Sequence, residues 1–134
     1  EMPNGICFGP DETLFYVDDT PGAFIKVYDA DTDGHISNGR MFFEDVGSGV
    51  VEDGVVDGMK CDELGNVWVT GPGGIWVISA DGEHLGTILV PENTANLTWG
   101  GDDWHSLYVA SSTSLYAIRT LVGPRGEPYM RGGA

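Results

Sequence analysis

The chain has 134 residues, enough for one domain or a piece of one, and its 21 acidic and 6 basic side chains give a formal net charge of −15 at pH 7. A surface this acidic repels phosphate groups, which argues against nucleic acid and anionic membranes as partners. No apolar run approaches the roughly 18 residues of a membrane span. The 21 glycines, scattered between short aromatic and β-branched runs, predict an all-β protein with many tight turns.

One pattern occurs three times along the chain: a short strand, a polar turn, and a second strand with an aromatic residue at its centre. A third strand follows each copy, and a fourth follows the first two. The predicted strands are 4–8, 13–17, 24–28 and 40–43 in the first unit, 57–61, 66–69, 74–78 and 85–90 in the second, and 95–99, 106–109 and 114–118 in the third.

Four-stranded units of about 40 to 50 residues are typical of β-propeller blades. The sequence therefore predicts about two and three-quarter blades of antiparallel sheet, at approximately 4–45, 56–91 and 95–120, followed by a C-terminal tail at 121–134. An open arc of blades exposes sheet faces, so we expect a partner that completes the ring. This partner is either an N-terminal half of the same propeller or another copy of the chain.

The repeat places Asn4, Asp57 and Ala95 at the start of the three innermost strands, next to the central channel. Asn4 and Asp57 carry the oxygen donors that calcium and magnesium prefer. Calcium takes 6 to 8 oxygens, so water and a further carboxylate must supply the others. The plainer alternative is that both residues simply begin turns ahead of glycine.

Three segment pairs resemble the gluconolactonase family, also known as the regucalcin or senescence-marker-protein family. They read PNGICFGPD with LFYV (3–11, 14–17), VDGMKCDE with GNVWV (56–63, 65–69), and NLTWGG with SLYV and SLY (96–101, 106–109, 114–116). The resemblance implies a six-bladed propeller with one divalent cation, usually calcium, and this chain matches its C-terminal half. The oxygen ligands themselves favour calcium or magnesium, with zinc or manganese as further alternatives. The resemblance makes Asn4 and Asp57 metal ligands and Asp57 the acid/base group. The family's glutamate ligand has no counterpart in this chain.

The leading hypothesis is hydrolysis of small sugar lactones, in which the cation polarises the carbonyl and Asp57 holds the attacking water or takes its proton. Asn96, one place past the third innermost position, is a candidate substrate-binding residue. Two alternatives stay open: a phosphotriesterase-like ester hydrolase that uses the same site, and a non-catalytic propeller fragment that self-associates.

Two further features favour structural interpretations. Cys7 and Cys61 lack metal-binding spacing and are predicted to be buried thiols, which favours a reducing compartment such as the cytoplasm. The segment 29–34 has EF-hand-like aspartate spacing, but Arg40 stands where such a loop needs glutamate. This segment is therefore predicted to be a turn between two strands.

Overall fold

The protein's structure, a computed structural model, describes residues 1–50 and 52–131, and eleven β-strands lie within these ranges. They are β1 (Pro3–Phe8), β2 (Leu14–Asp19), β3 (Phe24–Ala30), β4 (Ile36–Phe43), β5 (Met59–Cys61), β6 (Val67–Gly71), β7 (Gly74–Ile78), β8 (His84–Leu89), β9 (Thr94–Gly100), β10 (Ser106–Ser111) and β11 (Leu115–Arg119). The one helical segment of these ranges is a 3₁₀ turn at Pro128–Arg131, and no helix there is long and apolar enough to cross a membrane.

The strands form three antiparallel sheets in sequence order: β1 to β4, β5 to β8, and β9 to β11. This confirms the prediction of an all-β fold with two four-stranded blades and three strands of another. Strand β5 contacts both β1 and β9, and β6 also contacts β9. The innermost strands of the three sheets therefore lie side by side, as blades around a channel require.

Two apolar cores hold the three sheets together. The core between the first and middle sheets consists of Tyr16, Ile25, Val27, Val46, Val56, Met59, Val67, Val69, Trp76 and Ile78. The core between the middle and third sheets consists of Trp68, Ile75, Leu97, Trp99, Leu107 and Val109. Because the middle sheet contributes to both cores, all five residues of β6 are buried. This two-sided burial explains why Val67, Trp68 and Val69 are all apolar and the strand does not alternate.

The turn after β5 is organised by one carboxylate. Asp62 is fully buried and accepts hydrogen bonds from the amides of Leu64 (3.0 Å) and Asn66 (2.8 Å), and from the indole Nε1 of Trp68 (2.9 Å). Trp68 in turn packs edge-on against Trp99, with ring centroids 5.1 Å apart. The carboxylate therefore fixes both the turn and the aromatic contact between the middle and third sheets.

The C-terminal tail follows the third sheet and crosses back over the first and middle sheets, near the ends of their innermost strands. The Arg125 amide donates to the Cys61 carbonyl at the end of β5 (3.0 Å), and its guanidinium pairs with Glu12 in the β1–β2 turn (3.0 Å). The tail thus joins all three sheets at the end of the channel opposite Asn4. The last three residues of the predicted tail, 132–134, lie outside the described residues.

Two glycines allow the innermost strands to touch. A Cβ atom on Gly5 would lie 1.9 Å from the Asp57 carbonyl oxygen, and one on Gly58 would lie 2.6 Å from the Asn96 Cα and 2.8 Å from the Ala95 carbonyl oxygen. Gly58 also donates its amide to Ala95 (2.8 Å). Any side chain at either glycine would push the neighbouring backbone away.

We expect Gly58→Ala to lower the free energy of unfolding by about 1–3 kcal/mol. The added methyl group would overlap backbone atoms of Ala95 and Asn96, which cannot move aside unless the strand shifts. Gly9→Ala is the matched control, since a Cβ there finds its nearest neighbour at an ordinary 3.5 Å, on Leu14. Urea unfolding of both variants measures the difference. Equal stability of the two variants would contradict the close approach of β5 and β9.

Candidate metal centre

The structure places the segments of the two predicted ligands, Asn4 and Asp57, next to each other. Asn4 lies in β1, and its side-chain amide donates a hydrogen bond to the Thr20 hydroxyl (3.1 Å). The Thr20 hydroxyl in turn donates to the Val56 carbonyl (2.9 Å). Asn4 is thereby tied to the residue that precedes Asp57. Because the amide nitrogen is engaged by Thr20, the side-chain oxygen is the atom that Asn4 offers to a cation.

Asp57 is half-buried and lies outside a strand, which differs from the prediction of a strand at 57–61. Strand β5 begins only at Met59, where pairing with Val69 starts. The physical reason is that the Gly58 amide bonds to Ala95 in the third sheet instead of to β6. Asp57 therefore sits on an irregular segment held between the first and third sheets.

Asn96 lies in β9 beside Gly58 and is exposed. Its side-chain oxygen accepts the amide hydrogen of Leu97 (2.9 Å), and its side chain lines a shallow cavity with Tyr108 and Leu115 on the free face of the third sheet. The structure thus places Asn96 next to the segment of Asp57. Its role in substrate binding stays a prediction.

Asp18 is a residue at this site that the sequence analysis missed. It lies in β2, is 1 % exposed, and accepts the Gly5 amide on Oδ1 (2.9 Å), whereas its Oδ2 is buried without a hydrogen-bond partner. Burial raises the pKa of Asp18 to about 7, and the charges of Asp57 and Asp19 add to the rise while the Gly5 hydrogen bond opposes it. The sequence did contain a signal for this site, because Asp18 and Asp19 are two consecutive acids at the end of an otherwise apolar strand.

The residues present fit part of a hard-cation site. Asn4 and Asp57 offer amide and carboxylate oxygens, and the orphaned Asp18 Oδ2 is an unsatisfied oxygen one strand away. In the part of the chain that the structure describes, no three His, Cys, Asp or Glu side chains converge closely enough to hold a metal by themselves. Asn4 and Asp57 therefore supply a minority of the oxygens that calcium needs.

The other candidate features are structural. In the EF-hand-like segment, Asp31 Oδ1 accepts the amides of Asp33 and His35 (both 2.9 Å), which closes the turn before β4. Cys7 and Cys61 are free thiols, half-buried and buried respectively. Burial raises the pKa of Cys61 to about 12 and raises that of Cys7 as well, so neither is a ready thiolate.

Residues 1–113 match the family described as SMP-30/gluconolactonase/LRE-like region. A gluconolactonase from Zymomonas mobilis is 33% identical over 127 residues, which cover 88% of this chain and 35% of that protein. The solved structure of a gluconolactonase from Xanthomonas campestris superposes with a TM-score of 0.74 at 31% identity, covering 87% of this chain and 37% of that one.

A solved structure of regucalcin from Agrobacterium tumefaciens, described as a calcium-binding protein, superposes with a TM-score of 0.79 at 24% identity. The match covers 94% of this chain and 48% of that structure. At this identity the likeness concerns the fold. The chain therefore spans about a third to a half of the length of the relatives that it matches.

The raised pKa of Asp18 predicts a pH dependence of stability. Native protein holds this proton more tightly than the unfolded chain, so the unfolding free energy falls as pH rises from about 4 to about 7. Asp18→Asn should remove this part of the slope, and Asp81→Asn, a change at an exposed turn, should leave it unchanged. Urea unfolding with chelator present measures both, and an unaltered slope in Asp18→Asn would contradict the assignment.

Proposed function

Because the chain belongs to the SMP-30/gluconolactonase/LRE-like family, we propose that it forms part of a metal-dependent lactonase that hydrolyses small sugar lactones. The observation that carries the proposal is the placement of Asn4 beside the Asp57 segment at the innermost edge of two neighbouring sheets. Two relatives that are 33% and 31% identical to it over the matched regions are gluconolactonases, which supports the substrate class.

In this proposal the side-chain oxygen of Asn4 and the carboxylate of Asp57 hold one divalent cation. Calcium is the first choice because both donors are hard oxygens, and magnesium, zinc or manganese are alternatives. A bound cation of this kind supplies positive charge that polarises the lactone carbonyl and stabilises the oxyanion. The hydrogen bond from Asn4 to Thr20 keeps the asparagine oriented with its oxygen available.

Asp57 is also the proposed acid/base residue. Its carboxylate accepts a hydrogen bond from the attacking water and takes its proton as the water adds to the carbonyl carbon. Asp57 is half-buried, and its backbone carbonyl lies against Gly5. The same proton is then available for the ring oxygen that leaves when the lactone opens.

The proposal also includes additional blades of the same propeller, which cover the sheet faces at the two ends of the arc. Ile6 of β1 is 56% exposed on one face, and Tyr108 and Leu115 on the other are 47% and 83% exposed. Large apolar side chains exposed on an open sheet face favour coverage by a further sheet. The fraction of the relatives that the chain spans agrees with blades outside it.

We expect Asp57→Asn to lower kcat for glucono-δ-lactone hydrolysis by about 10²–10⁴-fold, since the amide keeps an oxygen ligand but takes no proton. Chelation of the divalent cation should abolish activity in the unaltered protein, and added calcium should restore it. Proton release in a weakly buffered indicator assay measures both effects.

Asp81→Asn is the control for this assay, because Asp81 is exposed in the β7–β8 turn. It should hydrolyse the lactone at the unaltered rate. A fully active Asp57→Asn variant would exclude Asp57 as the acid/base residue. Activity that survives exhaustive chelation would exclude the metal.

Native mass spectrometry of the purified protein tests the completed ring. The expected species contains this chain together with the further blades and carries one adduct of calcium mass. A homodimer of the chain would replace the further blades by a second copy. A stable monomer of 14.3 kDa would show that the exposed faces need no cover.

A further inference from the structure

The side chain of Thr20 joins the segments of the two proposed ligands. Its hydroxyl accepts a hydrogen bond from the Asn4 side-chain amide (3.1 Å) and donates one to the Val56 carbonyl (2.9 Å), directly before Asp57. These two bonds cross from the first sheet to the segment that leads into β5. We call the hydrogen-bonded series Asn4, Thr20 and Val56 the hydroxyl relay.

Both ends of the hydroxyl relay are anchored. The Thr20 amide donates to the Met2 carbonyl (3.2 Å), which continues the pairing of β1 with β2 one residue beyond Asp19. Asp19 also accepts the Gly22 amide (2.9 Å) and so closes the turn that follows Thr20. At the other end, Val56 is buried in the core between the first and middle sheets. The Thr20 hydroxyl and the Val56 carbonyl therefore meet from two fixed segments.

The direction of these hydrogen bonds fixes which end of the Asn4 amide points outward. A threonine hydroxyl has one hydrogen, and the Val56 carbonyl can only accept, so this hydrogen is committed to Val56. Thr20 then offers Asn4 only lone pairs, which bind the NH₂ end of the amide and not its oxygen. The Asn4 side-chain oxygen is left for another partner.

At the equivalent place in the middle sheet, a proline replaces the threonine. Alignment of the β1–β2 register with the β5–β6 register places Pro72 where the first sheet has Thr20. The ligand of that sheet is Asp57, whose carboxylate presents an oxygen whichever way it turns. The Asn4 amide presents an oxygen at one end only, so a device that sets its orientation matters at Asn4 and not at Asp57.

We propose that Thr20 is a positioning residue of the cation site, which turns the Asn4 side-chain oxygen toward the cation through the hydroxyl relay and ties Asn4 to the Asp57 segment. This inference rests on the proposed function, since it requires Asn4 and Asp57 to hold the cation. Without the Thr20 hydroxyl, the Asn4 amide is free to rotate. Its NH₂ end, which donates hydrogen bonds and repels a cation, then competes with the oxygen for the same direction.

The test first compares three single variants. Thr20→Ser keeps the hydroxyl, so calcium affinity should stay within about twofold of the unaltered protein. Thr20→Val keeps the shape and removes the hydroxyl, so affinity should fall about 10-fold, at the lower end for residues that orient metal ligands because Asn4 is exposed. Thr13→Val is the control and should leave affinity unchanged, since it removes a hydroxyl bonded to Asp11 (2.7 Å) at the other end of β2.

A second background separates orientation of the amide from general support. Asn4→Asp replaces the amide by a carboxylate, which presents oxygen at either end. In this background Thr20→Val should change calcium affinity by less than about twofold, in contrast to the loss of about 10-fold beside asparagine. Calorimetric titration of chelator-treated protein with calcium gives all of these affinities.

The hydroxyl relay itself is measured without metal. The two hydrogens of the Asn4 side-chain amide give separate ¹H–¹⁵N signals, and the hydrogen bond to Thr20 shifts the signal of the hydrogen that makes it. Both signals should be preserved in Thr20→Ser. In Thr20→Val they should move to the positions of an exposed asparagine.

Four results would overturn the role of Thr20. If Thr20→Ser weakens calcium binding as much as Thr20→Val, the hydroxyl is not the group that matters. If Thr20→Val binds calcium normally, the orientation of Asn4 does not depend on Thr20. If Thr20→Val costs as much affinity beside Asn4→Asp as beside asparagine, Thr20 acts through stability and not through the amide. If the Asn4 amide signals are unchanged in Thr20→Val, the hydroxyl relay does not form.

Failure of the proposed function gives a different result. In that case the unaltered protein binds no divalent cation, and the Asn4 amide signals of Thr20→Ser and Thr20→Val still decide whether the hydroxyl relay forms.

Discussion

The structure depends on the close approach of three innermost strands, which is possible because Gly5 and Gly58 carry no side chain. At each glycine the neighbouring backbone occupies the space where a Cβ would lie. A larger residue would separate the sheets and open both apolar cores, since the residues of these cores come from facing sheets. The same contact brings Asn4, Asp57 and Asn96 together, so the packing constraint and the candidate site have one origin.

In the middle sheet, close packing buries polar groups, and hydrogen bonds compensate for the water that these groups lose. Its strand β6 is buried on both faces, so burial there favours polar groups that find hydrogen-bond partners. Asp62 answers this need by accepting several donors at once, including the Trp68 indole that packs on the third sheet. The tail provides a second tie by bonding to Cys61 at the end of β5. Both ties hold the C-terminal end of β5, the strand that follows Asp57.

The first and third sheets differ from the middle one because each has a free face. Apolar side chains on these faces, such as Ile6 and Leu115, are exposed. In a closed propeller, neighbouring blades bury such faces. Left open to water, the same apolar faces are prone to association. The catalytic proposal and the proposed further blades are therefore linked, because blades outside this chain would also provide the remaining oxygens around a cation.

The sequence by itself determined the all-β class, the repeat and most strand positions; the strand predicted at 74–78 is observed as β7. These features follow from short apolar and aromatic runs and the turn residues between them, which act over a few neighbours. The sequence also singled out Asn4 and Asp57 through their repeated position. Only the tertiary structure decided that β5 starts at Met59, that the tail ties three sheets together, and that Asp18 faces the Asp57 segment. Each of these depends on hydrogen bonds and packing between segments that are far apart in sequence. A local sequence pattern does not indicate which distant groups will pair.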